Sequence, residues 1–203
     1  MKKLINGILE FRKKSLNKYK KKFAHLASGQ SPDALFIACC DSRVVPNLMV
    51  STDPGDLFVI RNIGNLVPPY IENNNITNSE AAAIEFSVTQ LSISDIIVCG
   101  HSECGAMKSI LNGIDNIKCP NVKSWLSNCK CNVNEIKDNK NLSRLNQLSQ
   151  INILQQIEHL LTYPIIKKKV QNKELNIHGW YFDIATGDIY TYNEKLKKYI
   201  LIT

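Results

Sequence analysis

The sequence contains no uninterrupted apolar run long enough to cross a bilayer, so a helical membrane protein is not expected. Its opening, MKKLINGILEF, has a positive start and a short apolar stretch. Arg12, Lys13 and Lys14 follow at once and no small-residue cleavage site does, so it reads poorly as a secretory signal. The seven cysteines are an odd number, and without an export signal they argue against a disulfide framework and for reduced thiols in a cytoplasm. Acidic residues are scarce at the start: nine of the 25 basic residues lie in the first 22 positions against Glu10 alone. That segment carries +8 where the whole chain carries +7, leaving about −1 for the rest. With the basic character confined to one element and no aromatics interleaved with lysines beyond it, nucleic acid is not an expected partner.

What is present points to one domain spanning 1–203, with 1–28 as an N-terminal helical arm; 203 residues at 44% hydrophobic suffice for one core. In the arm Ile5, Ile8, Leu9, Leu16, Tyr19 and Phe23 recur at helical spacing, an amphipathic docking helix with lysines on its other face. ALFIACC and DLFVIRN, separated by TDPGD, are short continuous apolar runs and read as buried strands, as does DIIVCGH. NSEAAAIEFSVTQL predicts a helix started at Asn78/Ser79, and SECGAMKSILNG one closed by Gly113. Residues 114–140 are polar with weak periodicity. NLSRLNQLSQINILQQIEHLLTYP predicts a long amphipathic helix stopped by Pro164, and ELNIHGWYFDIATGDIYTYN two strands in a hairpin at the sheet edge. The fold class expected is α/β: about four parallel strands plus an antiparallel edge strand, flanked by helices.

The chemistry concentrates in two places. In IACCDSRV, strand alternation puts Cys39, Asp41 and Arg43 on one side and turns Cys40 away into packing. In CGHSECGAM, His101 and Cys104 stand three apart at a strand-to-helix junction, where a helix N-terminus favours a thiolate. Sites in open parallel sheets collect at the carboxyl ends of strands, and Cys39 and His101 are both expected there. Two thiolates and one imidazole suit tetrahedral zinc and leave a fourth position open. Cys99 is expected in the core, and Cys119, Cys129 and Cys131, irregularly spaced and without a nearby histidine, are not expected to form a second metal site. His25, His159 and His178 are expected on the surface or in packing roles.

These residues assembled, the chain resembles the beta class of carbonic anhydrases over nearly its full length. The paired signatures are Cys39, Asp41, Ser42 and Arg43, then His101, Cys104 and Gly105; RNIGNLV at Arg61–Val67 and IHGWYFDIATG extend the likeness. The resemblance implies a zinc enzyme that reversibly hydrates carbon dioxide to bicarbonate by attack of a zinc-held hydroxide, with one ion per subunit held by Cys39, His101 and Cys104. It implies that Asp41 orients the nucleophile and that Arg43 keeps Asp41 ionised and off the metal. Of the family's subgroups, one has a noncatalytic bicarbonate site made of Trp, Arg and Tyr. The matching positions are read here as Phe36, Arg61 and Phe86, which lack two of the three polar groups. The chain is more similar to the subgroup with an active-site glutamine, matched by Gln30. Phe58 and Ile63 would then supply apolar walls, Phe86 would stand where that subgroup usually has Tyr, and Gln30 with the Gly105 N–H would hold a substrate oxygen. Relatives assemble as dimers or higher even oligomers with the N-terminal helix across a neighbour, which implies that Gln30 and Phe86 act across an interface.

Two other readings share parts of this pattern. A hydrolase of carbon disulfide or carbonyl sulfide could use the same ligands, and a noncatalytic zinc-stabilised binding module could close the site with Asp41. The presence of Arg43 and Gln30 argues against a closed site.

Overall fold

Ala34–Cys39, strand β1 below, is buried at every position, as expected of a central strand covered on both faces. The computed structural model describes residues 1–72 and 78–203. In chain order its elements are α1 (Lys2–Glu10), a π-helical turn at Phe11–Ser15, α2 (Leu16–Leu26), β1, the one-turn helix α3 (Pro46–Met49), β2 (Leu57–Asn62), α4 (Ser79–Thr89) and β3 (Asp95–His101). Then come α5 (Gly105–Leu111), α6 (Pro120–Leu126), α7 (Arg144–Leu160), α8 (Pro164–Gln171), β4 (Asn176–Phe182), β5 (Ile189–Asn193) and β6 (Lys198–Leu201).

The six strands lie in the order β2-β1-β3-β4-β5-β6. β1 to β4 pair in parallel, while β5 and β6 add antiparallel. Four parallel strands were expected; the antiparallel edge has two strands, not one. Its last strand, Lys198–Leu201, is short and half exposed, so its sequence carries little alternation to find. Local chemistry sets the helix boundaries as read from sequence. Asn78 caps α4, its side chain accepting from the Ala81 N–H at 2.7 Å. Pro164, expected only to stop α7, opens α8 at its first position, where a missing N–H costs nothing.

Alternation splits the core between the faces of the sheet. Leu35, Ile37 and Ile60 face Ile84 and Val88 of α4, Ile153 and Leu160 of α7 and Ile166 of α8. Ala34, Phe36 and Ala38 face the other way, with Ile97, Cys99 and Trp180. Among the described residues, that second face is covered by the short α3 region, through Val44, Met49 and Val50. The arm is tied down at one end only. Lys22 bonds Asp56 at 3.0 Å and lies 3.4 Å from Asp53. Leu26 packs over Gly55, whose φ of +97° suits only glycine. Further out, Leu4, Ile5, Ile8 and Leu9 are each at least half exposed.

α7 comes close to the sheet because β3 and β4 present glycines to it. A Cβ on Gly100 would lie 2.8 Å from Ile153 Cγ1 and 3.3 Å from the Ser149 carbonyl oxygen; one on Gly179 would lie 3.0 Å from Ile153 Cγ2. Gly100→Ala should therefore destabilise the fold by about 1–3 kcal/mol, the usual cost of overpacking. The urea midpoint measures this, and trimming the neighbour in Gly100→Ala/Ile153→Val should recover part of the loss.

Candidate metal centre

β1 connects leftward to β2, while β3 connects rightward toward β4, so the carboxyl ends of these two neighbours flank a topological switch point. Cys39 ends β1, His101 ends β3, and Cys104 is the N-cap of α5. Their ligand atoms all lie within 4.8 Å of one another, and all three residues are buried. This is the one such group of metal-ligating residues among the described residues.

The imidazole supplies the test of whether a metal fits. His101 Nδ1 lies 2.8 Å from the Ser102 carbonyl oxygen and donates to it, which fixes the tautomer and leaves Nε2 as an acceptor. Nε2 is fully buried and has no hydrogen-bond partner. A buried nitrogen lone pair aimed at two sulfurs is costly without a cation and satisfied with one. In the bare protein the two thiols share a proton. A hydrogen bond from Cys104, aided by the Gly64 N–H at 3.4 Å, holds the Cys39 thiol down at about 4. The same hydrogen bond, with burial, pushes Cys104 up. A divalent ion would displace that remaining proton and leave two thiolates, the donor set that suits zinc.

Asp41 and Arg43 stand beside this group in a two-pronged pair: Arg43 Nε donates to Oδ1 at 2.9 Å and Nη2 to Oδ2 at 2.7 Å. The Arg43 N–H adds a third bond to Oδ1 at 3.0 Å. The Arg43 hydrogen bonds hold the Asp41 carboxyl well below the usual carboxylate range, so it is ionised at any neutral pH. Oδ2 lies 4.0 Å from His101 Nε2, close to the ligand atoms without joining them.

The other sequence-derived residues divide. Ile63 and Gly105 lie at the carboxyl end with the cysteines. Gln30 precedes β1, and Phe58 is paired with Leu35 near the start of β2. At about 3.3 Å per residue they sit roughly 13 Å or more down the sheet from Cys39. Phe58 stacks on Phe86 with ring centroids 6.0 Å apart. Gln30 is exposed and Phe86 is 44% exposed, so these residues present a surface at the far end of the same chain.

Two readings of individual residues are corrected. Cys40 is exposed rather than packed, because β1 ends at Cys39 and alternation ceases there. Phe36, Arg61 and Phe86 do not form one cluster: Phe36 is buried edge-on against Trp180 on one face of the sheet, whereas Phe86 covers Phe58 on the other. The aromatics packed on the Phe36 face are Trp180 and Phe182, neither of which carries a hydroxyl. Arg61 is engaged elsewhere, donating from Nε and Nη2 to the Cys39 carbonyl at 3.2 and 2.9 Å and from Nη2 to that of Asp41 at 2.7 Å. It clasps the strand end that carries the first ligand.

Sequence reasoning missed the groups that hold the loop after β2. Asn152, Gln156 and His159 recur at i, i+4 and i+7 on α7 and are buried. Asn152 Nδ2 donates to the Gly64 carbonyl at 3.0 Å, the Val67 N–H donates to Gln156 Oε1 at 2.8 Å, and His159 Nδ1 donates to the Val67 carbonyl at 2.7 Å. Burial lowers the affinity of His159 for a second proton, in keeping with a neutral donor. Trp125 Nε1 donates to the Ile63 carbonyl at 2.7 Å. The signal was three polar residues at helical spacing, which amphipathicity assigns to the solvent face.

Residues 34–189 match the family profile described as carbonic anhydrase. The chain is 39% identical to a carbonic anhydrase of Synechocystis sp., over 98% of this chain and 74% of that protein. It is 38% identical to a carbonic anhydrase of Pseudomonas aeruginosa, over 93% of this chain and 86% of that one. Among solved structures, the β-carbonic anhydrase CcaA matches with a TM-score of 0.91 at 36% identity, covering 100% of this chain and 99% of that one. A structure from work on two tetrameric β-carbonic anhydrases of Sordaria macrospora matches at 0.78 and 30% identity, over 93% and 94%.

Purified protein should carry about one zinc per chain. Cys104→Ser should lower that content at least severalfold, and Asp41→Asn should leave it intact. Elemental analysis by plasma mass spectrometry distinguishes the two.

Proposed function

The chain belongs to the β-class carbonic anhydrases, zinc enzymes that interconvert carbon dioxide and bicarbonate, and from that membership we propose how its own residues carry the reaction. Cys39, His101 and Cys104 would hold the ion, which when bound supplies an acidified water to add to carbon dioxide. Asp41 would accept a hydrogen bond from the attacking water through Oδ2, the oxygen nearer His101, and so orient it. Arg43 occupies both carboxylate oxygens, and this two-pronged pair is the observation that carries the proposal. It keeps Asp41 charged and turned away from the ligand position it could otherwise take. Gly105, first residue of α5, offers an N–H that no helical carbonyl can claim, a donor for the oxygen on which charge builds as bicarbonate forms. Ile63 gives the gas an apolar approach.

Gln30, Phe58 and Phe86 complete the pocket of a second copy. Their separation from Cys39 within one chain supports this, as does the apolar face of α1, which is exposed among the described residues. The enzyme is thus a homo-oligomer of even order with paired sites, and the tetrameric relative fits that arrangement. Seven free cysteines suit a reducing cytoplasm, and among the described residues no helix is long and apolar enough to cross a membrane.

Two thiolates neutralise the charge of the ion, so its water should be less acidic than in an all-histidine site, where it titrates near pH 7. Asp41 is already ionised there and contributes no titration of its own. In stopped-flow assays kcat should therefore climb through the mildly alkaline range. Arg43→Ala should lower it at least about tenfold, as expected when a positioned group is lost. A flat profile, or a wild-type rate in Arg43→Ala, would contradict these roles.

Shared sites predict complementation. Cys104→Ser and Gln30→Ala each impair homo-oligomers, but co-refolded mixtures should regain activity, because some pockets draw both intact halves. Additive, unrescued rates would place Gln30 outside the pocket.

A further inference from the structure

Cys129 and Cys131 follow α6 on the loop leading to α7, and their sulfurs lie 2.7 Å apart. That is about 0.7 Å longer than a disulfide bond. Both are partly exposed, so a small oxidant can reach them. Cys99, by contrast, is sealed in the core, where burial pushes its thiol up to about 12. Cys40 and Cys119 are exposed, and among the described residues neither has a neighbouring thiol in hydrogen-bond contact.

The pair is connected to the metal centre by consecutive contacts. Each sulfur lies 3.5 Å from Asn152 Oδ1. Asn152 Nδ2 donates to the Gly64 carbonyl, and the Gly64 N–H donates to Cys39 Sγ. Asn152 is buried and its Oδ1 has one other donor, Gln156 Nε2 at 2.9 Å.

We infer that Cys129 and Cys131 form a thiol–disulfide switch, closed by a hydroperoxide, that adjusts the metal-site loop through Asn152. The two sulfurs are in hydrogen-bond contact, and that contact holds the Cys129 thiol down and pushes Cys131 up, which assigns Cys129 as the nucleophile and Cys131 as the resolving thiol. Its thiolate attacks one peroxide oxygen and the O–O bond breaks, giving a sulfenic acid and a hydroxide that takes the proton Cys129 gave up. Cys131 sulfur then attacks the sulfenic sulfur, the S–O bond breaks and water leaves with the Cys131 proton. Two thiols lose two electrons, one hydrogen peroxide gains them, and two waters form. Afterwards neither sulfur carries a hydrogen for Asn152 Oδ1, and the side chain that fixes Gly64 must resettle.

The experiment uses the full-length, zinc-loaded protein exposed to equimolar hydrogen peroxide. Non-reducing peptide mapping should find a Cys129–Cys131 link that a phosphine reductant removes. The hydration rate should fall about threefold, equivalent to about 0.6 kcal/mol, and return on reduction. Zinc should be retained throughout. Cys129→Ser should show the starting rate of the wild type and no response to this dose. The switch is overturned if no link forms, if it forms without changing the rate, or if Cys129→Ser loses rate equally. The inference rests on the enzymatic reading only for its rate measurement: a reduced protein without hydration activity would refute that reading, while the mapped link reports on the thiols alone.

Discussion

A buried imidazole nitrogen with nothing to bond organises this molecule. His101 can neither turn, because Ser102 holds Nδ1, nor reach water, because the ring is sealed at the end of β3. Its free lone pair is satisfied only if a cation sits between it and two sulfurs. Everything around it fixes where those sulfurs stand: Arg61 clasps the end of β1, Gly64 donates to Cys39, and the turn into α5 presents Cys104. The ion is accordingly part of the structure that positions its own ligands.

The polar interior follows from the same demand. The loop after β2 lies beside the metal centre and carries backbone groups that neither helix nor sheet satisfies. α7 serves them with a buried stripe of Asn152, Gln156 and His159. Glycines at positions 100 and 179 let that helix approach closely enough for the bonds to form. Close packing and hydrogen bonding thus act together, and the loop is held by bonds of known length, not by apolar contact alone.

Much of this was legible in the sequence. Short apolar runs bounded by turn residues gave β1, β2 and β3, and strand-end cysteine and histidine at a helix start gave the ligand set. What escaped had physical causes. The stripe on α7 has the spacing of a solvated face, and only its neighbours reveal that it is buried. Pro164 marks a boundary equally well as a stop or a start. Phe36 and Phe86 are alike in sequence terms, but strand alternation turns Phe36 to one face of the sheet while Phe86, on α4, covers Phe58 on the other, which no linear motif encodes. The Cys129–Cys131 contact depends on how an irregular loop folds back on α7, where periodicity offers no guidance.

If Gln30, Phe58 and Phe86 serve a neighbour's pocket as proposed, their far placement would make turnover a collective property. Under that division a lone subunit holds two half-pockets that belong to different reaction centres, so dilution alone would silence the protein while leaving each fold and each ion intact. A damaged copy entering an assembly would spoil its neighbour's chemistry as well as its own, and cellular abundance would act as a crude on–off control.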